Sequence, residues 1–166
     1  MSLSMHSATV PVFVRMLNNT LTWLDKAQAH AEARKFDTAN YLGMRLAPDM
    51  LPFTRQIQIA TDGVKGCLAR LAGVEMPKWD DTEASLDDLR ARIRLAIDYA
   101  QSFTPAQIDG TDGKEIVRQT RAGDVKASGE DFVKHYVMPN LYFHLTTTYA
   151  LLRHAGVEIG KRDFLG

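Results

Sequence analysis

A single cysteine, Cys67, is the only thiol in the 166 residues, so the chain cannot form an internal disulfide. Neither charge is in excess, because 20 lysines and arginines balance 20 aspartates and glutamates. Binding to a nucleic-acid backbone requires a cationic excess or a basic face, so nucleic acid is not an expected partner. No apolar run approaches the roughly 20 residues of a membrane span, and the N-terminus does not read as a secretion signal. We therefore expect a cytoplasmic protein without a membrane partner.

The sequence does contain four segments in which apolar residues recur every three or four positions, the spacing of one helix face. The first helix is predicted to begin between Ser7 and Pro11, since proline is accepted in a first turn. The second is predicted to begin near Pro48 and to end at Gly73, a residue type that favours the left-handed conformation of a helix stop. Both helices are amphipathic, so each is expected to pack against other elements.

The third helix is predicted to follow a capping box formed by Asp80 and Glu83. The fourth is predicted to run from a cap at Ser128 to a glycine stop at Gly156. Five charged residues of the third helix are interpreted as a solvated outer face, because such a run on a helix is usually exposed and contributes little energy. These are Asp87, Asp88, Arg90, Arg92 and Arg94.

Glycines and a proline break the helical pattern between Phe103 and Ser128. Weak alternation of apolar and polar residues there predicts a short hairpin that turns at Ala122 and Gly123. A longer connection must join the second helix to the third. We predict one all-α domain over residues 1–166, a four-helix bundle with a long crossover between helices 2 and 3 and a small β-hairpin before helix 4.

Two polar residues, Asn140 and His144, lie on the apolar seam of the fourth helix, one turn apart. Leucine would be the default residue type at core positions of a bundle. An asparagine and a histidine can ligate a metal or orient a small molecule, and they can also satisfy each other in a polar core layer. Tyr136 and Thr148 are predicted to be near enough to take part in the same site.

The end of the fourth helix resembles the DinB/YfiT-like superfamily of metalloenzymes. Members commonly finish with two histidines separated by three residues, then an Arg-Gly-Gln segment, then a Tyr-Leu-Arg-x-x-Gly turn. When this turn is placed on Leu151 to Gly156, the second histidine of the family falls on His144 and the first on Asn140. The resemblance covers nearly the whole chain, which looks like a branch of domains of unknown function within that superfamily.

The resemblance implies a divalent metal held by one histidine of the second helix and two of the fourth. Some members have a thiol-dependent transferase or isomerase activity, so the resemblance implies such an activity as well. Here the second helix has no histidine, and Gln56 is the residue predicted to face the same cavity, with Asp49 or Gln58 as alternatives. The implied metal set is therefore His144, Asn140 and Gln56, and the metal would be zinc, nickel or iron.

Neutral amide oxygens are poor donors beside imidazole, so the sequence predicts a degenerate metal site and no certain cofactor. The leading hypothesis is a small-molecule cavity around His144 and Asn140, with Gln56, Tyr136 and Thr148 as further ligand-binding residues. The alternatives are a metal-dependent thiol transferase or isomerase and a purely structural homodimer. Whether the protein is an enzyme stays open at this stage, and a homodimer is expected in either case.

Overall fold

The computed structural model describes residues 3–120 and 122–166. It is mostly helical, with one small antiparallel sheet of two strands. The elements are α1 (Met5–Arg34), α2 (Ala39–Leu42), α3 (Phe53–Ala72), α4 (Leu86–Gln101), α5 (Pro105–Ile108), β1 (Glu115–Thr120), β2 (Gly123–Ser128), α6 (Gly129–Phe132), a π-helical turn (Val133–Val137), α7 (Met138–His154) and α8 (Lys161–Leu165). Among the described residues, no helix combines the length and hydrophobicity that crossing a membrane requires.

The hydrophobic core lies between four long helical segments. Helix α1 contacts α4 and α7, and α3 contacts the same two helices. The fourth segment consists of α6, the π-helical turn and α7, which follow one another without a break. The interior contains large side chains that are fully buried, among them Trp23, Phe13, Phe53, Leu17 and Leu89. Burying each such side chain contributes about 1.5–3 kcal/mol, so the apolar seams are what holds these helices together.

Helix α1 begins earlier than the sequence predicts, at Met5. The Ser4 hydroxyl accepts the backbone N–H of Ser7 at 3.2 Å, and the Ser7 hydroxyl accepts that of Ser4 at 2.8 Å. This reciprocal cap satisfies two N–H groups that a helix start would otherwise leave unpaired. Pro11 therefore lies inside the helix, in its second turn, and not in the first turn as predicted.

Helix α3 begins later than predicted, at Phe53 and not near Pro48. Pro52 favours this start, because its ring disfavours the helical conformation of the residue before it, Leu51. Pro52 becomes the N-cap, and its carbonyl accepts the N–H of Gln56 at 3.1 Å. As a result Asp49 lies in the preceding loop, where it is exposed.

Helix α4 also begins later than predicted, because its N-cap is Ser85 and not Asp80. The Ser85 hydroxyl accepts the N–H of Asp88 at 3.1 Å, and the Asp88 carboxylate accepts the N–H of Ala84 at 3.0 Å. The Ala84 N–H, and after it the Ser85 side chain, hold the pKa of the Asp88 carboxyl below its usual value. Residues 73–85 form the long connection between α3 and α4.

Both glycine stops are confirmed. Gly73 has φ 71° and Gly156 has φ 93°, which an L side chain rarely adopts. Beyond each glycine, a valine N–H donates to a carbonyl five residues back: Val74 to Ala69 and Val157 to Leu152, both at 3.0 Å. This is the bond pattern of a Schellman stop, in which the residue after the glycine closes the last turn.

The hairpin before the fourth segment is confirmed as well. Strands β1 and β2 pair in antiparallel register from Glu115 with Ser128 to Thr120 with Gly123. The connection between the strands contains Ala122, and Gly123, which was also predicted in the turn, is instead the first residue of β2. Ile116 on β1 is buried and Val117 is exposed, so one face of the ribbon covers the helices.

Candidate ligand-binding site

A π-helical turn sets the position of α7 against α3. Pro139 has no N–H to donate to the carbonyl of His135, so one regular α-helical hydrogen bond is missing at this point. The N–H of Met138 instead reaches five residues back to the carbonyl of Val133. Such π turns occur frequently at functional sites. This one directly precedes the two polar residues that the sequence analysis places on the seam.

His144 and Gln56 meet between α7 and α3, as the sequence analysis predicts. The Nδ1 atom of His144 lies 2.7 Å from Oε1 of Gln56, and the two residues are 8% and 1% exposed. Gln56 Nε2 donates to the carbonyl of Leu51 at 2.8 Å, which fixes the orientation of its amide group. Because Oε1 can only accept, His144 carries its proton on Nδ1. Its Nε2 lone pair has no hydrogen-bond partner within the described part of the chain.

Burial keeps His144 neutral. Removal from water penalises the imidazolium form and lowers the pKa of His144 below its usual value of 6.5. The bond to Gln56 does not oppose this shift strongly, because a neutral and a charged ring both donate from Nδ1. The site therefore presents an uncharged imidazole with an unused acceptor at neutral pH.

This lowered pKa predicts a stability that falls in acid. The unfolded chain binds a proton at His144 at a higher pH than the folded chain, so the free energy of unfolding declines as the pH falls below about 6.5. Above that pH the contribution is constant. We expect the His144→Leu variant to lose less stability than the wild type between pH 7 and pH 5, measured by urea unfolding. An equal loss in both proteins would contradict the assignment.

The contact between His144 and Gln56 also predicts coupled energies. Gln56→Leu leaves the Nδ1–H of His144 and the Leu51 carbonyl without their partner, and is expected to cost about 1–3 kcal/mol. The double variant with His144→Leu removes both polar groups and should cost less than the sum of the single changes. A double-mutant cycle by urea unfolding measures the difference. Additive losses would show that the two side chains do not interact in solution.

Asn140 lies on α7 one turn before His144, and it faces α3. A Cβ atom added to Gly63 of α3 would lie 3.5 Å from Nδ2 of Asn140, an ordinary van der Waals distance, so the Asn140 amide group lies next to this part of α3. Asn140 is half-buried, and its side chain lines a cleft between the two helices.

The other predicted residues are placed differently. The Thr148 hydroxyl is buried and donates to the carbonyl of His144 at 2.8 Å, so it braces the helix backbone. Tyr136 is 39% exposed at the mouth of the cleft, where its ring stacks on Phe132 at 5.9 Å between centroids. Of the alternatives to Gln56, Asp49 is in the exposed loop, and Gln58 turns away to donate to Glu83 at 2.5 Å.

The cleft between α3, α7 and the hairpin, here the α3–α7 cleft, has a volume of about 300 Å³. Its apolar wall includes Ile59, Met76, Phe132 and Val137. Seven residues supply polar groups or a phenol: Asp62, Lys65, Arg70, Arg118, Gln119, Tyr136 and Asn140. Binding sites for small molecules typically combine an apolar wall with a few placed polar groups. The cleft has this character, although His144 is not part of its lining.

The residues of the predicted metal set do not fit a catalytic metal. Such a site usually has three strong protein ligands and one open position. Here one imidazole is joined to a neutral amide that it already hydrogen-bonds, and Asn140 offers a second neutral amide. In the described ranges, 3–120 and 122–166, no group of three histidine, cysteine, aspartate or glutamate residues is placed to hold a metal ion. Cys67 lines the cleft, but burial raises the pKa of its thiol, which disfavours the thiolate.

A buried ionic cluster behind the cleft was missed by the sequence analysis. Arg90 and Arg92 were predicted to be solvated, but they are 8% and 4% exposed. Arg92 donates to Glu83 at 2.9 Å and to Asp62 at 3.0 Å, and its Nε donates to the Thr61 hydroxyl at 2.9 Å. Asp62 lines the cleft, so this cluster fixes one wall of it.

Comparison with known proteins identifies the class. The family model described as "Domain of unknown function (DUF1993)" matches residues 5–165, and the chain belongs to this family. A solved structure, a DinB family member protein from Shewanella denitrificans, is 41% identical, with a TM-score of 0.91. The match covers 97% of this chain and 91% of that chain. No curated protein matches. The resemblance to a DinB-like branch of domains of unknown function is thereby confirmed.

Proposed function

We propose that this protein binds a small molecule in the α3–α7 cleft, on a DinB-like four-helix bundle. The bundle is supported by the packing of α1 and α3 against both α4 and the fourth helical segment. The binding function rests on one observation: a cleft of about 300 Å³ lies against Asn140, the polar residue that interrupts the seam of α7. A cleft of this size, apolar on one side and polar on the other, suits a ligand of drug-fragment size.

The predicted site residues divide between two roles in this proposal. Asn140 and Tyr136 contact the ligand directly, because both line the cleft. His144, Gln56 and Thr148 support the site from behind it through their hydrogen bonds. The Asn140 amide lies next to Gly63 of α3, which brings a polar group of α7 to the α3 side of the cleft.

The test is a small-molecule fragment panel observed by ¹⁵N chemical shifts of the labelled protein. We expect hits whose shift changes centre on the amides of Gly63, Gly66 and Asn140, and which weaken in Asn140→Leu. Asn18→Leu is the matched control, because Asn18 is an exposed asparagine on α1, outside the cleft. A panel that gives no shift changes at the cleft, or hits that survive equally in Asn140→Leu, would overturn the proposal.

A second function, an enzyme that uses His144 as a base, is favoured by its neutral ring and its unused Nε2 lone pair. A metal-dependent thiol transferase or isomerase is the form that the family resemblance implies, and the donor set argues against it. Elemental analysis of the tag-free protein and of the His144→Ala variant tests whether the protein is a metalloenzyme. We expect less than one equivalent of zinc, nickel or iron in both proteins, even after metal is added. Stoichiometric metal that disappears in the variant would restore the metalloenzyme.

A homodimer through helix faces remains part of the proposal. Tyr142 and Phe143 on α7 are 39% and 55% exposed, which leaves two aromatic rings in contact with solvent. Interfaces between proteins are enriched in such residues. Sedimentation velocity over a range of concentrations should show a dimer that Phe143→Ser weakens. A monomer at all concentrations would remove this part of the proposal.

A further inference from the structure

Two arginines of the α3–α7 cleft have no acidic partner among the described residues. Arg70 comes from the last turn of α3, and Arg118 comes from β1. Within that part of the chain, neither guanidinium lies at ion-pair distance from a carboxylate. The Nη1 of Arg70 donates to the Gly66 carbonyl at 2.8 Å, and the Arg118 guanidinium lies 3.8 Å from the centre of the Tyr136 ring. Both charges are therefore held in place while most of their donors stay unused.

The other charged groups of the cleft neutralise each other. Lys65 Nζ lies 2.8 Å from Asp62, and it also lies 4.4 Å from the centre of the Trp79 ring. Asp62 additionally accepts from Arg92 at 3.0 Å. Three cations and one carboxylate line the cleft, and the carboxylate is already paired with Lys65 and Arg92. The positive charge that remains available to a ligand is that of the two arginines.

Each arginine is kept at the cleft by its immediate surroundings. A Cβ atom on residue 66 would lie 2.6 Å from Nη1 of Arg70, so glycine at this position lets the guanidinium fold back along α3. Arg118 shares a face of β1 with the buried Ile116, so its stem runs toward the helices, and its head rests on Tyr136. Because guanidinium groups bind carboxylates and phosphates in a two-pronged geometry, two of them beside one apolar wall define a chemical class of ligand.

We propose that the ligand of the α3–α7 cleft is a small organic anion, whose carboxylate or phosphate is bound by Arg70 and Arg118. Its apolar body packs on Phe132, Val137 and Met76, and the amide of Asn140 offers one further hydrogen bond. This inference rests on the proposed binding function and specifies its ligand. It gives the hairpin a role as well, because β1 carries one of the two anion-binding side chains.

The test compares benzoate with benzamide, which have nearly the same shape and differ in charge. Dissociation constants come from ¹⁵N shift titrations of the full chain, with the Arg Nε–Hε signals as a second readout. We expect benzoate to bind about tenfold more tightly than benzamide, as a charge-assisted pair of hydrogen bonds would provide. Arg70→Gln and Arg118→Gln should each weaken benzoate about fivefold and leave benzamide unchanged. Arg94→Gln, an equal change of charge at an exposed site outside the cleft, should affect neither probe.

The outcomes separate the two proposals. Equal affinity for both probes, or benzoate binding that survives both arginine changes, would overturn the anion assignment and leave the small-molecule cleft intact. Inorganic phosphate that binds as tightly as benzoate would overturn the role of the apolar wall. Tighter binding of phenyl phosphate than of benzoate would support a small organic anion as the ligand, with phosphate as its head group. Failure of every probe and of the fragment panel at the cleft would overturn both proposals together.

Discussion

Arg92→Met is expected to lower the free energy of unfolding by about 3–5 kcal/mol, the range for breaking a buried charge cluster by removing one partner. The Arg92 side chain is 3% exposed and bonds Glu83, Asp62 and the Thr61 hydroxyl. It also donates to the Asp80 carbonyl at 3.2 Å, so it joins α4 both to α3 and to the connection between the two helices. Methionine fills a similar volume and supplies none of these donors. Urea unfolding followed by circular dichroism measures the loss.

Arg94→Met is the matched control, because Arg94 is an exposed arginine of the same helix. The free energy of unfolding of Arg94→Met should stay within about 0.5 kcal/mol of the wild-type value. Each carboxylate around Arg92 retains another donor: Lys65 for Asp62, Arg55 for Asp81 and Gln58 for Glu83. If these donors compensate fully for the lost arginine, Arg92→Met will be as stable as the control. That result would show that the cluster does not fix the connection to the helices.

The missed burial of Arg92 shows what a helical wheel cannot predict. Arg92 follows Leu89 by three positions and precedes Ile93 by one, so it lies at the edge of the apolar seam. Its burial depends on Glu83 and Asp81, which arrive from the connection before α4, and on Asp62 from α3. A sequence shows the charges of one helix but not the path of a loop that covers them. A charged run beside a seam is therefore ambiguous until the loop is placed.

Local signals predicted much of the rest. Apolar residues at helical spacing identified the four long helical segments, and two glycines marked helix ends because the stop requires a positive φ. The starts of α1, α3 and α4 were less accurate, since each depends on which serine or proline provides the cap. The proline at position 52 was visible in the sequence, and the observed start of α3 directly after it agrees with the effect of proline on the preceding residue.

The candidate site was predictable only in part. The family resemblance predicted that Gln56 faces the same cavity as His144, and the structure brings Oε1 of Gln56 to 2.7 Å from Nδ1 of His144. Arg118 was not predicted, because its place in the cleft depends on how the hairpin packs over the π-helical turn. Pro139 was the local signal for that turn. A proline well inside the predicted fourth helix, followed directly by Asn140, indicates a helix that departs from regular geometry where its polar residues begin.

Gly129→Ala is expected to destabilise the protein by about 3 kcal/mol, at the upper end of the usual cost of overpacking. Gly129 is the buried first residue of α6, and the next residue, Glu130, donates its N–H to the Asp112 carbonyl at 2.9 Å. An added Cβ atom would overlap the carbonyl oxygen of Thr111 and would lie 3.3 Å from Cδ2 of Leu71. A backbone oxygen cannot rotate away as a side chain can, so the whole segment before β1 must shift. Urea unfolding measures the cost.

Gly113→Ala is the matched control for this change, because no atom lies within 4 Å of a Cβ atom added there, and its φ is not positive. Gly113→Ala should change the free energy of unfolding by no more than about 0.5 kcal/mol. Helix propensity alone predicts that Gly129→Ala is the more stable of the two variants, since alanine in place of a helical glycine is favourable by about 1 kcal/mol. A stabilised Gly129→Ala would therefore show that the segment before β1 yields easily. A large loss would show that this close approach anchors the hairpin, and with it Arg118, to the helices.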